Sequence, residues 1–541
     1  MRLNVRQLFV IVLFLALFSM ALRPIADADF WWHLRTGQWM VETRAVPHAD
    51  PFSFTNQVTT NGDNSKTWIA HEWLSELFIY VIYRIGGFGL LILAFAAIIT
   101  ATFFLVYLRS TEHPYVAGFA LLLGALAAAP TWGVRPQMIS YLLSALFLFL
   151  LDRYAGSRKT KYLIPLPLLM LLWVNLHAAY ALGFAIIGIY IVGDIFELIK
   201  AKVTKTGPAN LPTPKNGSFQ QLETAPTGTP SRPSATENSL RRQASRPCRC
   251  DFNRRRISQP FNSDESQNNI LILCGILLLC VLAALANPNG IRLLAYPFET
   301  LSSQAMQQNI QEWFSPDFHQ IEWQPLAWLI LALIGAGLLG RKSLSPTRVL
   351  LTLVFGYMAL RSMRHAPLFA IAALPVLAEE IGSLVRTRSE VRPARGALKW
   401  VNFLLVACVV LVAGLRFVSV VQEQSATEKE KFPAAAVDWI IQNHPAGNIF
   451  NTYGWGGYLI WRLYPEYQVY IDGRADVYGG AFIADYLRIE SGEAGWQASL
   501  ARNDVRIALL EPGSLLARDL RQSPDWEIAF SDEQSVLFIH K

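Results

Sequence analysis

Cysteine is scarce: the 541 residues contain five. Cys274, Cys280 and Cys408 fall in apolar runs, and Cys248-x-Cys250 has no second pair or nearby histidine, which argues against a zinc site. The segment assigned below to the outside of the cell has none, so no disulfide framework holds it together. Charge is thin as well. Only 16% of residues are Asp, Glu, Lys or Arg, against 52% apolar, and mean hydropathy is +0.29. That excludes a soluble enzyme of this size. No glycine-rich loop of the soluble nucleotide-binding kind occurs. A net charge of +7 could suggest a nucleic-acid partner, but Lys and Arg recur in alternate loops, which is a topology signal instead.

What the chain does contain is apolar runs approaching the roughly 20 residues that span a hydrocarbon core. Eleven are expected as helical spans, at 8–22, 88–108, 115–129, 138–151, 163–174, 178–198, 270–286, 326–339, 349–360, 366–378 and 401–415. The first, behind Arg2 and Arg6, is read as a retained helix and not as a cleavable signal peptide. Basic clusters follow the second, fourth, sixth, eighth and tenth. The positive-inside rule then places the N-terminus in the cytosol and residues 421–541 outside a plasma or inner membrane. The fold class is a polytopic α-helical membrane protein, residues 1–420, carrying a small extracytoplasmic α/β domain, residues 421–541.

Three segments break the pattern of spans. Residues 23–87 read as an acidic external loop with turn signals such as Asn61-Gly62-Asp63-Asn64, closed by an interfacial helix over 74–85 and by Gly86-Gly87. Residues 200–267, rich in Pro, Ser, Thr, Asn and Arg, read as a disordered basic cytosolic linker. After a turn at Asn287-Pro288-Asn289-Gly290, residues 291–301 form a second amphipathic stretch. The tail alternates a helix at 434–443 with strands at 448–451, 469–471, 507–510, 526–530 and 535–539, which predicts a mostly parallel sheet.

With this topology, ionisable and polar groups from six segments collect on one face. Such groups near membrane depth cost about 2.5–3.5 kcal/mol each at a helix centre, so they are kept where they pair or act. Asp27 and Asp29, beside Trp31 and Trp32, could supply a general base, bind a divalent cation such as Mg or Mn, or serve as the N-cap pair of a juxtamembrane helix. His33 lies four residues on, where it could orient a carboxylate. His71 and Glu72 open the interfacial helix, and both are read as site residues or as its polar start. Arg361 and Arg364, three apart on one helical face, match the geometry of a phosphate or pyrophosphate, with His365 beside them. Arg135 is a third candidate for that phosphate, and Asn175 and His177 form either a polar helix end or further substrate contacts. The Gly-punctuated turns Trp455-Gly456-Gly457-Tyr458 and Asp472-Gly473-Arg474-Ala475-Asp476 either contact substrate or hold the tail against the membrane domain.

The order of one helix, an acidic external loop with an interfacial helix, many spans and an external C-terminal domain resembles the GT-C class of polyprenyl-phosphate-dependent glycosyltransferases. That class includes protein O-mannosyltransferases, aminoarabinose transferases and oligosaccharyltransferase catalytic subunits. The matching stretches are Asp27-Ala28-Asp29-Phe30-Trp31-Trp32-His33 in the first loop, then His71-Glu72-Trp73 leading through Gly86-Gly87. The resemblance implies that Asp27 or Asp29 is the catalytic carboxylate, with His33 and Glu72 beside it. It also implies a lipid-linked sugar donor and inverting transfer to a glycan, lipid or protein acceptor, with no nucleic-acid partner. A transporter, flippase or polymerase of lipid-linked glycans is the alternative, followed by a non-catalytic membrane scaffold.

Overall fold

The computed structural model of the protein describes residues 3–56, 68–110, 113–206, 263–340, 344–385 and 398–541. The turn at 61–64, Cys248 and Cys250, and nearly all of the expected cytosolic linker lie outside the described residues. Helix α1 (Val5–Ala21) starts from an Asn4 capping box in which the Asn4 side chain accepts from the Gln7 amide and Gln7 accepts in return. Helix α2 (Ala28–Thr43) follows, with Asp27 as its N-cap and Arg44 closing it in the left-handed conformation. The irregular first loop expected from the sequence is thereby corrected. Sixteen of its residues form a helix, because Asp27 caps the chain and Phe30, Trp31 and Leu34 bury their faces fully.

Helix α3 (Trp73–Arg109) is two helices meeting across a kink at Gly86 and Gly87, the latter at φ +59°. The first part covers the stretch read as an interfacial helix and the second the apolar run read as a span. Then come α4 (Pro114–Ala128), α5 (Gln137–Ser157), α6 (Pro165–Leu176), α7 (Ala181–Thr206), α8 (Ser263–Ala284) and the amphipathic α9 (Arg292–Ser302). After α10 (Gln304–Asn309) follow α11 (Gln324–Leu339), α12 (Pro346–Arg361), α13 (Ala366–Leu384) and α14 (Leu398–Lys431). Each of the eleven expected spans is a helix. Eight helices among the described residues are long and apolar enough to cross a membrane; α1, α6 and α12 are shorter. The protein is a multi-pass membrane protein.

The two ends of the bundle are chemically different. At one, arginines pair singly with acids: Arg109 with Asp152 at 2.7 Å, Arg158 with Asp194 at 3.6 Å and Arg348 with Glu379. The other gathers α2, the α4–α5 turn, the α6–α7 junction at His177 and the α12–α13 junction. Arg23 donates there to the Ala129 carbonyl at 2.7 Å, and Tyr141 to the Arg364 carbonyl at 2.9 Å.

The C-terminal domain comprises α15 (Ala434–Asn443), β1 (Asn448–Asn451), α16 (Gly456–Leu463), the short α17 (Ala475–Tyr478), α18 (Gly480–Glu490), α19 (Trp496–Arg502), β2 (Val505–Leu510), α20 (Leu515–Gln522), β3 (Trp526–Ser531) and β4 (Val536–His540). The sheet order is β1-β2-β4-β3. Only β1 and β2 are parallel, while β2–β4 and β3–β4 are antiparallel. This corrects the mostly parallel expectation: the β3–β4 turn is too short for a crossover, so β4 must run back along its neighbour. Residues 469–471 are not a strand either. Val469 makes isolated bridges to Ile449 and to Ser53 of the first loop, so the first loop and the tail share backbone bonds.

Helix α2 lies so close to α3 that a Cβ at Gly37 would strike the Glu76 carbonyl and Tyr80. Gly37→Val is expected to cost about 1–3 kcal/mol through overpacking and to lower the thermal midpoint in detergent. Gly188→Ala, where an added Cβ meets nothing within 4 Å, should leave it unchanged or raise it.

Candidate active site

The polar end of the bundle encloses a cavity of about 420 Å³. Its polar wall is built by α2, the start of α3, the α4–α5 turn, the α6–α7 junction, the polar segment before α11 and residues 473–476 of the C-terminal domain. Its opposite wall is apolar, with Leu182 and Ala185 of α7, Phe355 and Met358 of α12, and Leu368 of α13.

Arg135 is the hub of the polar wall. Its Nε lies 2.9 Å from Asp27 Oδ2, its Nη2 2.7 Å from Asp29 Oδ2, and its Nη1 pairs with Glu312. Three carboxylates from two distant segments therefore share one guanidinium. Asp29 also takes the Trp32 indole N–H at 3.2 Å. Burial raises the Asp29 carboxyl, Arg135 opposes it, and Asp27 and Glu312 add to it, leaving it pushed up to about 7. That is the range a general base needs near neutral pH.

Glu72 is the second centre. His33 Nε2 stands 3.4 Å from one of its oxygens, and His71 Nε2 and His177 Nε2 stand 3.3 and 3.1 Å from the other. The backbone sets two of these tautomers. His177 Nδ1 accepts from the Ala179 amide at 3.1 Å, so its proton sits on Nε2 and points at Glu72. His71 Nδ1 faces the Ile69 carbonyl at 3.1 Å and must carry a proton there. Burial, which would lower His71, is outweighed by Glu72, so its pKa is raised. Burial would likewise raise Glu72, but His177, His71 and His33 together hold it below the usual carboxylate range. For His33 and His177 burial wins, and they are pushed down to about 3 and about 4. The pair is then a charged Glu72–His71 couple flanked by two neutral imidazoles.

Of the residues expected from the sequence, Asp29, His33, His71, Glu72, Arg135, His177, Arg364 and His365 line this one cavity. Two do not. Arg361 lies on the exposed outer side of α12, donating to Gln307 at 3.0 Å; three residues on, the helix has ended, so the shared face expected for Arg361 and Arg364 does not exist. Asp27 sits behind the wall as the N-cap of α2, accepting from the Asp29 amide at 2.8 Å. Arg364 faces the cavity and stacks on Trp313 at 4.7 Å.

Sequence reasoning missed Glu312, Tyr296 and Asp476. Glu312 and Tyr296 lie in short amphipathic or irregular segments where no period marks a residue as inward. Asp476 belongs to the glycine-punctuated turn flagged above, whose reading as a seat for the tail holds for Asp472 and Arg474. Asp472 and Asp50 clamp Arg474 at 2.6 and 2.8 Å, with all three side chains at most 1% exposed, while Asp476 lines the cavity beside Tyr296 and His71. Gly473 lies so close to Asp29 that a Cβ there would collide with its carboxylate.

No protein-family model matches the chain, and no curated protein matches its sequence. Among solved structures, the apo oligosaccharyltransferase of Archaeoglobus fulgidus superposes at a TM-score of 0.50 and 12% identity, covering 93% of this chain and 69% of that one. The chain has a GT-C-like fold. ArnT of Cupriavidus metallidurans bound to undecaprenyl phosphate covers 98% of this chain and 97% of its own, at 13% identity and a TM-score of 0.48.

In this GT-C-like fold the Asp50–Arg474–Asp472 triad is what seats the C-terminal domain over the cavity. Arg474→Met takes from two buried carboxylates the cation they share, and a loss of about 3–5 kcal/mol is expected. Limited proteolysis should then cut between 432 and 480 in the variant and not in the wild type.

Proposed function

We propose that the protein is an integral-membrane glycosyltransferase that moves a sugar from a polyprenyl-phosphate donor to an acceptor outside the cytosol, with inversion. The observation that carries this reading is the mixed lining of the cavity, which sets Asp29 and Arg364 beside an apolar surface made by α7, α12 and α13. An amphiphilic donor fits such a site, with its phosphate on the Arg364 guanidinium and its isoprenoid on Phe355, Met358 and Leu368. The likeness in fold to the oligosaccharyltransferase of Archaeoglobus fulgidus supports glycosyl transfer. By the positive-inside argument the cavity faces outward.

In the proposed step an acceptor hydroxyl or amine attacks the anomeric carbon from the face opposite the phosphate. The bond from that carbon to the phosphate oxygen breaks, polyprenyl phosphate leaves, and the nucleophile's proton passes to Asp29. Arg135 holds the Asp29 carboxylate in place and keeps its pKa from rising further. Glu72, committed to three imidazoles, orients His71 and His177 toward the cavity and is not the base. A divalent cation would have to displace Arg135 to reach the Asp27, Asp29 and Glu312 oxygens, and no group of three or more His, Cys, Asp or Glu among the described residues is spaced to hold a metal. These residues as arranged do not fit Mg or Mn.

The test is transfer of labelled sugar from polyprenyl-phosphate donors by the purified protein in lipid vesicles. Asp29→Asn should lower turnover by about 10²–10⁴-fold, the range for a general base, with folding intact. Unchanged transfer in that variant would exclude this mechanism, and vectorial movement of donor without bond cleavage would favour a flippase. Because the Asp29 carboxyl is raised, its base form is lost as pH falls below about 7. The rate should therefore drop about tenfold per pH unit on the acid side. Arg135→Gln should move that limb to higher pH, since Arg135 lowers the Asp29 pKa. Arg364→Ala should raise the donor KM about tenfold or more, while Arg361→Ala, outside the cavity, changes it less than twofold.

A further inference from the structure

Away from the cavity, α1 and α14 pack side by side and leave between them an apolar groove of about 510 Å³, lined by Ala16, Ser19 and Met20 on one side and by Cys408, Val412 and Arg416 on the other. The groove faces the bilayer, since Val412 and Leu415 on the α14 side are 59% and 61% exposed in the protein. At its mouth stand two arginines. Arg416 keeps 43% of its side chain exposed. Arg23, just past the end of α1, uses one nitrogen on the Ala129 carbonyl at 2.7 Å and lies over the Trp132 ring at 5.7 Å. Each guanidinium has five N–H donors, so most remain to be satisfied.

The like charges are close enough that Arg416 adds to burial in lowering the Arg23 pKa. Glu423 offers little relief. It stands 3.9 Å from Arg416, is half exposed, and already accepts from Ser419 at 2.5 Å. A pair this far apart and this wet contributes almost nothing. Two neighbouring cations at the rim of an apolar, membrane-facing groove are complementary to an anionic headgroup above a hydrocarbon chain.

We propose that the α1–α14 groove is a binding site for an anionic glycerophospholipid, its phosphate held between Arg23 and Arg416 and one acyl chain lying against Ala16, Met20, Cys408 and Val412. Length selects this occupant over a polyprenol. From Cys408 to Arg416 the groove runs eight residues of helix, about 12 Å, which accommodates the upper half of an acyl chain and only a small part of an isoprenoid of many units.

The site also sits where it can steady the catalytic face. One residue beyond Glu423, the Gln424 side chain accepts from the Ile25 amide at 2.7 Å and donates to its carbonyl at 3.1 Å. Ile25 is two residues before Asp27. A lipid that fastens α1 to α14 therefore fastens the strand of chain that enters α2.

The experiment uses the full chain in nanodiscs of phosphatidylcholine doped with phosphatidylglycerol, followed by delipidation and native mass spectrometry. One phosphatidylglycerol retained per chain, at least fivefold over phosphatidylcholine, is expected. Arg416→Gln removes a cation from an exposed position, and Val412→Trp fills the groove and leaves both charges; each should cut retention fivefold or more, with the circular dichroism unchanged. Equal retention of phosphatidylcholine, retention unaffected by either variant, displacement by an equal amount of undecaprenyl phosphate, or a lipid-free dimer closed through this groove would overturn the proposal. None of these readouts depends on glycosyl transfer, so the two readings can fail separately.

Discussion

The arrangement of the site depends on one charge. Arg135 is held in the short turn between α4 and α5, and it draws Asp27 and Asp29 from the start of α2 together with Glu312 from a segment far along the chain. Three carboxylates near one another repel and are costly to bury. A single planar guanidinium bonds all three at once because its donors fan out in a fixed plane. Lysine could not, since its ammonium is a point charge. One positive charge is nonetheless not enough for three negative ones, and burial, with Asp27 and Glu312 adding to it, leaves the Asp29 carboxyl pushed up to about 7.

A second constraint acts from above. The C-terminal domain is seated through a buried Asp50–Arg474–Asp472 triad, through aromatic packing of Tyr458 on Trp31 and Phe432, and through two glycines. Gly457 lets α16 reach the Ala28 carbonyl and Trp32, and Gly473 lets the following turn touch Asp29. Side chains at either position would lift the domain from α2. A buried ion triad is a weak source of net stability but a strict one for geometry, because any other seating leaves its charges without partners. The domain is thus part of the cavity wall, and its Asp476 joins Tyr296 and His71 there.

Much of the site could be read from residue types alone. Asp29, His33, His71, Glu72, Arg135, His177, Arg364 and His365 were identifiable because ionisable groups beside apolar spans are rare and each sits next to a span end. Arg361 failed for a local reason: the helix stops there, and a three-residue spacing puts two groups on one face only while the helix continues. Glu312 and Tyr296 carried no such mark. They lie in segments whose hydrophobic pattern is too short to give a period, so nothing in their neighbours tells inward from outward. In the tail, four of the five expected strand positions were legible from alternation, while 469–471 and strand direction were not, since pairing partners are chosen by packing and by turn length.

The sequence by itself determined the run of apolar helices, the break at Gly86-Gly87, the helix at 434–443 and the placing of polar residues at one end of the bundle. Each follows from local hydrophobicity and backbone preference, which neighbouring residues suffice to specify. Only the tertiary structure decided that Asp27 caps while Asp29 faces the cavity, that Glu72 is given over to imidazoles, and that Arg135 is shared among three acids. Those roles depend on distances between residues as much as 285 positions apart, and on the burial that shifts their proton affinities. Such quantities exist only once the chain has closed on itself.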